Sequence, residues 1–191
     1  ILKIGGVKIN SISSRIYPYD KITSHLVGYV QNVNSKDLKK HKNEGYTSSS
    51  VIGKSGIEAA YERQLRGEVG ARIDIVDENN NIVKTVAERE AKDGKDIRLT
   101  IDIDLQQSLY NEYQNDKSAS VALNPKTGEV LALVSTPSYS SNDFVLGLST
   151  DKWNALNNDV NQPLMSCYKQ TYTPGSTMKP ITAAIGLETK T

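Results

Sequence analysis

Hydrophobic and polar positions follow two different rhythms along the chain. In Arg72-Ile73-Asp74-Ile75-Val76 apolar and charged residues alternate, and a second run, Ile82 to Val86, follows the polar stretch Asp77-Glu78-Asn79-Asn80-Asn81. A period of two sends successive side chains to opposite faces, so these segments predict a strand pair with one face in water. Leu2-Lys3-Ile4 and Val7-Lys8-Ile9, joined by Gly5-Gly6, predict a hairpin in which glycine supplies the positive φ angles. Between the two pairs, Ile57, Tyr61 and Leu65 recur every four residues, which lines one face of a helix. This part of the chain reads as a small α+β module.

Past the charged, glycine-containing stretch Lys92 to Lys95 the rhythm changes, and the reading divides the chain there into residues 1–95 and 96–191. Ile97 to Ile101 predicts a strand, Asp102 an N-cap, and Leu105, Leu109 and Tyr113 the buried stripe of a helix. Ala119 to Leu123 and Val130 to Val134 are apolar at nearly every position, which predicts strands covered on both faces. Asn124-Pro125-Lys126-Thr127-Gly128 turns between them. Strand, helix, hairpin, helix is the beginning of a sheet sandwiched by helices, not a whole one.

Composition narrows the chemistry. Of 191 residues 37% are hydrophobic and the mean hydropathy is -0.47; no run approaches the roughly 20 apolar residues of a membrane span. The first residues carry no signal-peptide pattern, and they begin without Met in the middle of an alternation. The expectation is an excised piece whose parent holds any anchor upstream. A net charge of +1 gives no electrostatic case for nucleic acid. The cluster Lys39-Lys40-His41-Lys42 falls in a short polar helix that Ser35 can cap, a solvated face. Cys167 is the only cysteine, which rules out an intramolecular disulfide. His25, His41 and Cys167 are too few and too scattered for a structural zinc site. Neither a metal nor another cofactor is expected.

A serine with a lysine three residues on places hydroxyl and amine on one helix face, where the amine can take the hydroxyl proton. Such a lysine works as a base only if desolvation or a cationic neighbour lowers its pKa. The spacing occurs at Ser149/Lys152, Ser166/Lys169 and Ser176/Lys179. Ser149 reads as the cap of a surface helix. Ser166 leads into the polar, β-prone Gln170-Thr171-Tyr172-Thr173, with no helix to hold the pair. Ser176 follows the turn-forming Pro174-Gly175 and precedes Thr177 to Leu187, a small, apolar stretch that predicts a largely buried helix. Pro180 is tolerated in its first turn. There the amides and the dipole favour developing negative charge. By spacing alone a merely capping Ser176 is favoured over a nucleophile.

Resemblance shifts that balance. Pro174-Gly175-Ser176-Thr177-Met178-Lys179-Pro180 resembles the nucleophile motif of class B penicillin-binding proteins. Leu99-Thr100-Ile101-Asp102 with Gln106, and Asn124 to Ser135, resemble the strand-to-helix start and the hairpin of their transpeptidase domain. Arg15-Ile16-Tyr17-Pro18, His25-Leu26-Val27-Gly28-Tyr29 and Gly53-Lys54-Ser55-Gly56-Ile57-Glu58 with Tyr61, Leu65 and Gly67 resemble their pedestal. From Gly94 to Tyr139 the likeness is nearest to the low-affinity, methicillin-resistance type. The resemblance implies an α+β chain: a pedestal, or dimerisation-like, module followed by the N-terminal part of a penicillin-binding, β-lactamase-like α/β sandwich.

It implies further that Ser176 is the nucleophile and gives one oxyanion-hole amide, and that Lys179 is the general base. Implied partners are peptidoglycan stem peptides, β-lactams and other cell-wall synthesis proteins, at the outer face of the bacterial cytoplasmic membrane. Relatives complete the site with a Ser-x-Asn triplet and a Lys-Thr/Ser-Gly strand after the nucleophile. Ser140-Ser141-Asn142 and Lys126-Thr127-Gly128 precede Ser176 and read as coincidences, and Gly53-Lys54-Ser55 lacks the first glycine of a phosphate loop, position 48 being Ser48. The isolated chain is therefore expected to be nearly inactive, and its unpaired edges and bare apolar surface to bring self-association, a disordered C-terminal half or a second polypeptide that supplies the rest. The rival readings are a β-lactamase or β-lactam sensor, and a non-catalytic scaffold.

Overall fold

The computed structural model describes residues 14–190; the hairpin expected at Leu2 to Ile9 lies outside them. The chain opens with α1 (Asp20–Val27), β1 (Val30–Asn32), α2 (Ser35–Lys40), β2 (Val51–Gly53), α3 (Gly56–Ala60) and α4 (Glu62–Leu65). Then come β3 (Ala71–Val76), β4 (Ile82–Arg89), α5 (Ile103–Tyr113), β5 (Ser118–Leu123) and β6 (Val130–Thr136). Last are α6 (Ser141–Leu146), α7 (Thr150–Asn158) and α8 (Lys179–Thr189), with 3-10 turns at Cys167–Lys169 and Gly175–Met178. Strands pair antiparallel as β1 with β2, β3 with β4 and β5 with β6.

Both expected hairpins within the described residues form, but their faces differ from expectation. In β3–β4 both faces are wet: Ile73, Ile75, Val83 and Val86 are all more than half exposed. The register shifts at Ile73/Asp74 and Ile75/Val76 leave Val86 and Val83 of β4 as the extra residues; Ile73 and Ile75 still share a face of β3, and that face is in water. In β5–β6 only β6 is covered, with Ala132 and Val134 buried, while Val121 and Leu123 of β5 face solvent. Residues 97–101 are not a strand. Their tie to β6 is Thr100 Oγ1 donating to Val130 O (2.6 Å) and Asp102 N to Leu131 O (2.8 Å), which is no ladder.

Helix boundaries show which side chains decide them. Asp102 caps α5 as expected, accepting from Asp104 N and Leu105 N. The buried residue of α5, however, is Gln106, at 1% exposure, while Tyr113 is exposed. An amide is stable there because every polar atom is used: Nε2 donates to Ile22 O and Leu133 O, and Oε1 accepts from Leu133 N. The helix expected over residues 57–65 parts at Tyr61 (φ -114°) into α3 and α4. There Glu58 turns to Tyr17 and Arg15, whereas Glu62 turns to Gly53 N and the Tyr46 hydroxyl. The cap of α2 is Asn34 rather than Ser35; Asn34 and Asp37 exchange side-chain and backbone bonds in a capping box.

The core sits where residues 15–60 meet residues 100–168. Tyr17, Val30, Ile52, Ala132, Val134, Tyr139, Phe144 and Cys167 are its buried apolar members. Tyr29 and Phe144 stack at 4.2 Å, and Tyr139 meets both edge-on. Two glycines let backbones touch: a Cβ on Gly28 would lie 2.0 Å from Ser55 O, and one on Gly56 would lie 2.4 Å from Leu26 O. Gly94, expected as a hinge, packs with equal closeness, 2.0 Å from Leu65 O, and Lys92 pairs with Glu68 through both backbone groups.

Candidate active site

The three serine–lysine pairs part company in space. Ser149 caps α7, its hydroxyl accepting from Lys152 N at 3.3 Å, and Lys152 Nζ reaches Asp143 on the protein surface. That is the bland role its sequence suggests. The coincidental triplet is equally structural. Ser140 caps α6, Ser141 donates to Gly28 O at 2.8 Å, and Asn142 takes both backbone groups of Tyr17. Lys126-Thr127-Gly128 forms an exposed turn closed by the Asn124 side chain, with Gly128 at φ +76°. Lys54 pairs with Asp37, and hydrogen bonding to Lys54 first, then to the Asn34 backbone, holds the Asp37 carboxyl below its ordinary range.

Ser166 sits in a different setting from the one its sequence suggests. It precedes a 3-10 turn, and its Oγ lies 3.0 Å from His25 Nδ1. The other ring nitrogen, Nε2, is 3.1 Å from Pro137 O. A carbonyl only accepts, so Nε2 carries the proton and Nδ1 accepts from Ser166. Burial holds the His25 imidazole below its usual range, against the opposing pull of the Pro137 carbonyl; the Lys169 charge adds to the lowering. The His25 ring stands edge-on to Tyr139 at 5.1 Å. Burial likewise pushes the Tyr139 phenol up to about 12, and its hydroxyl donates to Ser24 O. Sequence reasoning missed this pairing because partners 141 residues apart leave no local pattern; the one signal was a lone histidine inside a matched segment.

Ser176 lies in the turn Gly175–Met178, which runs into α8 at Lys179. Gly175 takes φ +53°, the tight approach that Pro174-Gly175 predicts. Pro180 falls in the first turn of α8, where its missing N–H costs nothing. Ser176 lies inside this turn rather than at a cap position: the turn is capped by Pro174 and α8 by Met178. The Ser176 backbone carbonyl accepts from Lys179 N, which puts the two residues one turn apart. The Ser176 amide belongs to the first turn, whose N–H groups have no intrahelical acceptor and can face an anion.

The burial expected of this helix is not found. Ser176 and Lys179 are both exposed, and along α8 Ile181, Ile185 and Leu187 are 53%, 54% and 82% exposed. Small apolar residues permit a helix to be buried; a packing partner does the burying, and the main contact of α8 among the described elements is the turn before it. The arrangement offers a serine hydroxyl, a lysine and a free amide at a helix start, without the dry surroundings that would activate them.

The same chain matches two family models in order: a penicillin-binding protein dimerisation domain over residues 2–99, and a penicillin-binding protein transpeptidase domain over residues 118–191. It is 48% identical over 186 residues to penicillin-binding protein 3 of Bacillus subtilis, covering 97% of this chain and 27% of that one. It is 40% identical over 187 residues to peptidoglycan D,D-transpeptidase MrdA of Escherichia coli, covering 95% and 30%. Among solved structures, the complex between penicillin-binding protein PBP2 and MreC from Helicobacter pylori aligns with a TM-score of 0.84 at 32% identity, over 98% of this chain and 35% of that one. Pseudomonas aeruginosa PBP2 in complex with WCK 5153 aligns with a TM-score of 0.75 at 37% identity, over 91% and 35%. The chain thus spans about a third or less of the length of each of these relatives.

Proposed function

Because the chain belongs to the class B penicillin-binding proteins, with a dimerisation domain and the start of a transpeptidase domain, we propose that it is the pedestal and nucleophile-bearing part of a peptidoglycan D,D-transpeptidase. Ser176 attacks the penultimate D-Ala carbonyl of a wall stem peptide while Lys179 takes its proton. Terminal D-Ala leaves with a proton, giving an acyl-Ser176 ester. An amine of a second stem then attacks that ester, forms the cross-link and frees the serine. The Ser176 amide supplies half of the oxyanion hole. β-Lactams open on the same hydroxyl and remain as an acyl ester.

The observation that carries this reading is the match to the transpeptidase model over residues 118–191, inside which Ser176 and Lys179 stand one turn apart at a helix start. The names of the relatives, a penicillin-binding protein and a D,D-transpeptidase, support the substrate class. The Helicobacter pylori relative in complex with MreC supports a cell-wall synthesis protein as partner, and a reaction on wall stem peptides is in keeping with a site at the outer face of the cytoplasmic membrane. Within the class, the stretch from Gly94 to Tyr139 supports a place near the low-affinity, methicillin-resistance type. With its serine and lysine in water, the 191-residue chain alone acylates slowly.

Labelling with a fluorescent penicillin tests the assignment in the full transpeptidase carrying this chain. Ser176→Ala should lower labelling by at least about a thousandfold, while Ser149→Ala labels at the rate of the parent. Undiminished labelling of Ser176→Ala would remove Ser176 from the mechanism.

A further inference from the structure

Between the buried core and Ser176 the chain is fastened at one place. Cys167, fully buried, donates from N to Ser135 Oγ at 2.8 Å and from Sγ to Thr136 O at 3.3 Å, which ties it to the end of β6. Its two neighbours reach the other way, into the pedestal: Ser166 to His25 Nδ1, and the Tyr168 hydroxyl to His25 O. After Gln170 the hydrogen bonds described as far as Thr182 are local, such as Thr177 to Pro174 and Thr182 to Met178. Residues 171–185 are all exposed. The direction in which the chain leaves toward Ser176 is therefore set at residues 166–168.

His25 is the piece of pedestal that meets this fastening from both sides. It lies in the last turn of α1 and is 6% exposed. Nε2 holds the Pro137 carbonyl just beyond β6, Nδ1 holds the Ser166 hydroxyl, and the backbone carbonyl holds Tyr168. One imidazole thus spans the exit of β6 and the run-up to the nucleophile.

We propose that His25 is a positioning residue for acylation: through its Nδ1 bond to Ser166, the pedestal sets where Ser176 stands relative to the sheet. The proposal rests on Ser176 being the nucleophile. It makes the pedestal part of the catalytic geometry, so that a partner pulling on α1 would reach the reacting hydroxyl through Ser166.

The two amide side chains discriminate between positioning and filling. Asparagine at position 25 presents an acceptor near the place of Nδ1, and glutamine presents a donor near the place of Nε2. Acylation of the full transpeptidase by a fluorescent penicillin, followed over time at several concentrations, separates initial binding from the acylation step. His25→Gln and Ser166→Ala should slow the acylation step by about 10- to 100-fold with initial binding little changed, and His25→Asn should stay within about threefold of the parent. Combining His25→Gln with Ser166→Ala should add nothing to either alone, since both remove one bond.

Equal rates for Asn and Gln, or parental rates for Ser166→Ala, would overturn the proposal. Ser166→Ala leaves α1 untouched, so it decides the matter even where a His25 variant fails to fold. Ser176→Ala keeps the two readings apart. Label retained by Ser176→Ala sinks the nucleophile assignment; label lost there but normal in Ser166→Ala sinks the positioning role alone.

Discussion

Two parts of this molecule solve the problem of polar groups in opposite ways. Around α1, buried polar groups are paired across long stretches of sequence: Gln106 with Leu133 and Ile22, Ser141 with Gly28, His25 with Ser166 and Pro137. Around α8 the polar groups, Ser176 and Lys179 among them, are in water, and so are Ile181, Ile185 and Leu187. The first region is held by contacts whose loss leaves a buried group stranded. In the second there is little to lose. A family motif can therefore be complete as sequence while the setting that makes it reactive is not in place, because reactivity is a property of surroundings.

The contrast is broken most forcefully at Gln106. Gln106→Leu strands the Leu133 amide and carbonyl inside the core, and should cost about 2–4 kcal/mol, read as a lower urea midpoint of the chain. Were the midpoint unmoved, the junction would not be the stable part of the molecule.

A smaller effect should come from pH. Since the folded state holds the His25 imidazole below its ordinary 6.5, the unfolded chain takes up that proton first as pH falls. The His25 contribution is whole above pH 6.5 and is lost as the pH drops below it. The neutral junction faces Tyr139, Tyr168 and Lys169, and Lys169 opposes the charged form. The difference in urea midpoint between the parent and His25→Asn should accordingly shrink from pH 7.5 to pH 5, carboxylate effects being common to both proteins. A constant difference would mean that His25 does not titrate with folding.

The smallest effect belongs to α8. Ile185→Ser, at a position 54% exposed, should change stability by no more than about 0.5 kcal/mol. A larger loss would show that the helix is packed in solution after all.

What the sequence made legible follows the same line. Hairpins β3–β4 and β5–β6 were readable because pairing partners sit within a few residues of a turn, and Asn124 and Gly128 mark one of those turns. The caps at Asp102 and Ser149 were readable for the same reason. Burial was not. An apolar stripe pointed to Leu105, Leu109 and Tyr113, whereas the residue sealed in α5 is an amide whose partners come from β6 and α1. The break at Tyr61 was hidden because a four-residue period records only which side chains are apolar, not that Glu58 and Glu62 are claimed by different neighbours. At the candidate site, the Ser176–Lys179 spacing and the Pro174-Gly175 turn were plain in the sequence. The His25–Ser166 link was not, since it joins residues that meet only when the fold has closed.

The way α1 ends has a consequence for how the protein is made. Its last carbonyls are met by hydroxyls arriving from far downstream: Ser24 O by Tyr139 and His25 O by Tyr168, across 115 and 143 residues. Gly28 N closes the helix locally on Ser24 O, but a ribosome adding roughly 5–20 residues per second supplies these two hydroxyls only on the order of ten seconds later. Through that interval the nascent segment is exposed to proteases and to chance partners. A helix made early in this stretch is thus finished only by residues made late in it.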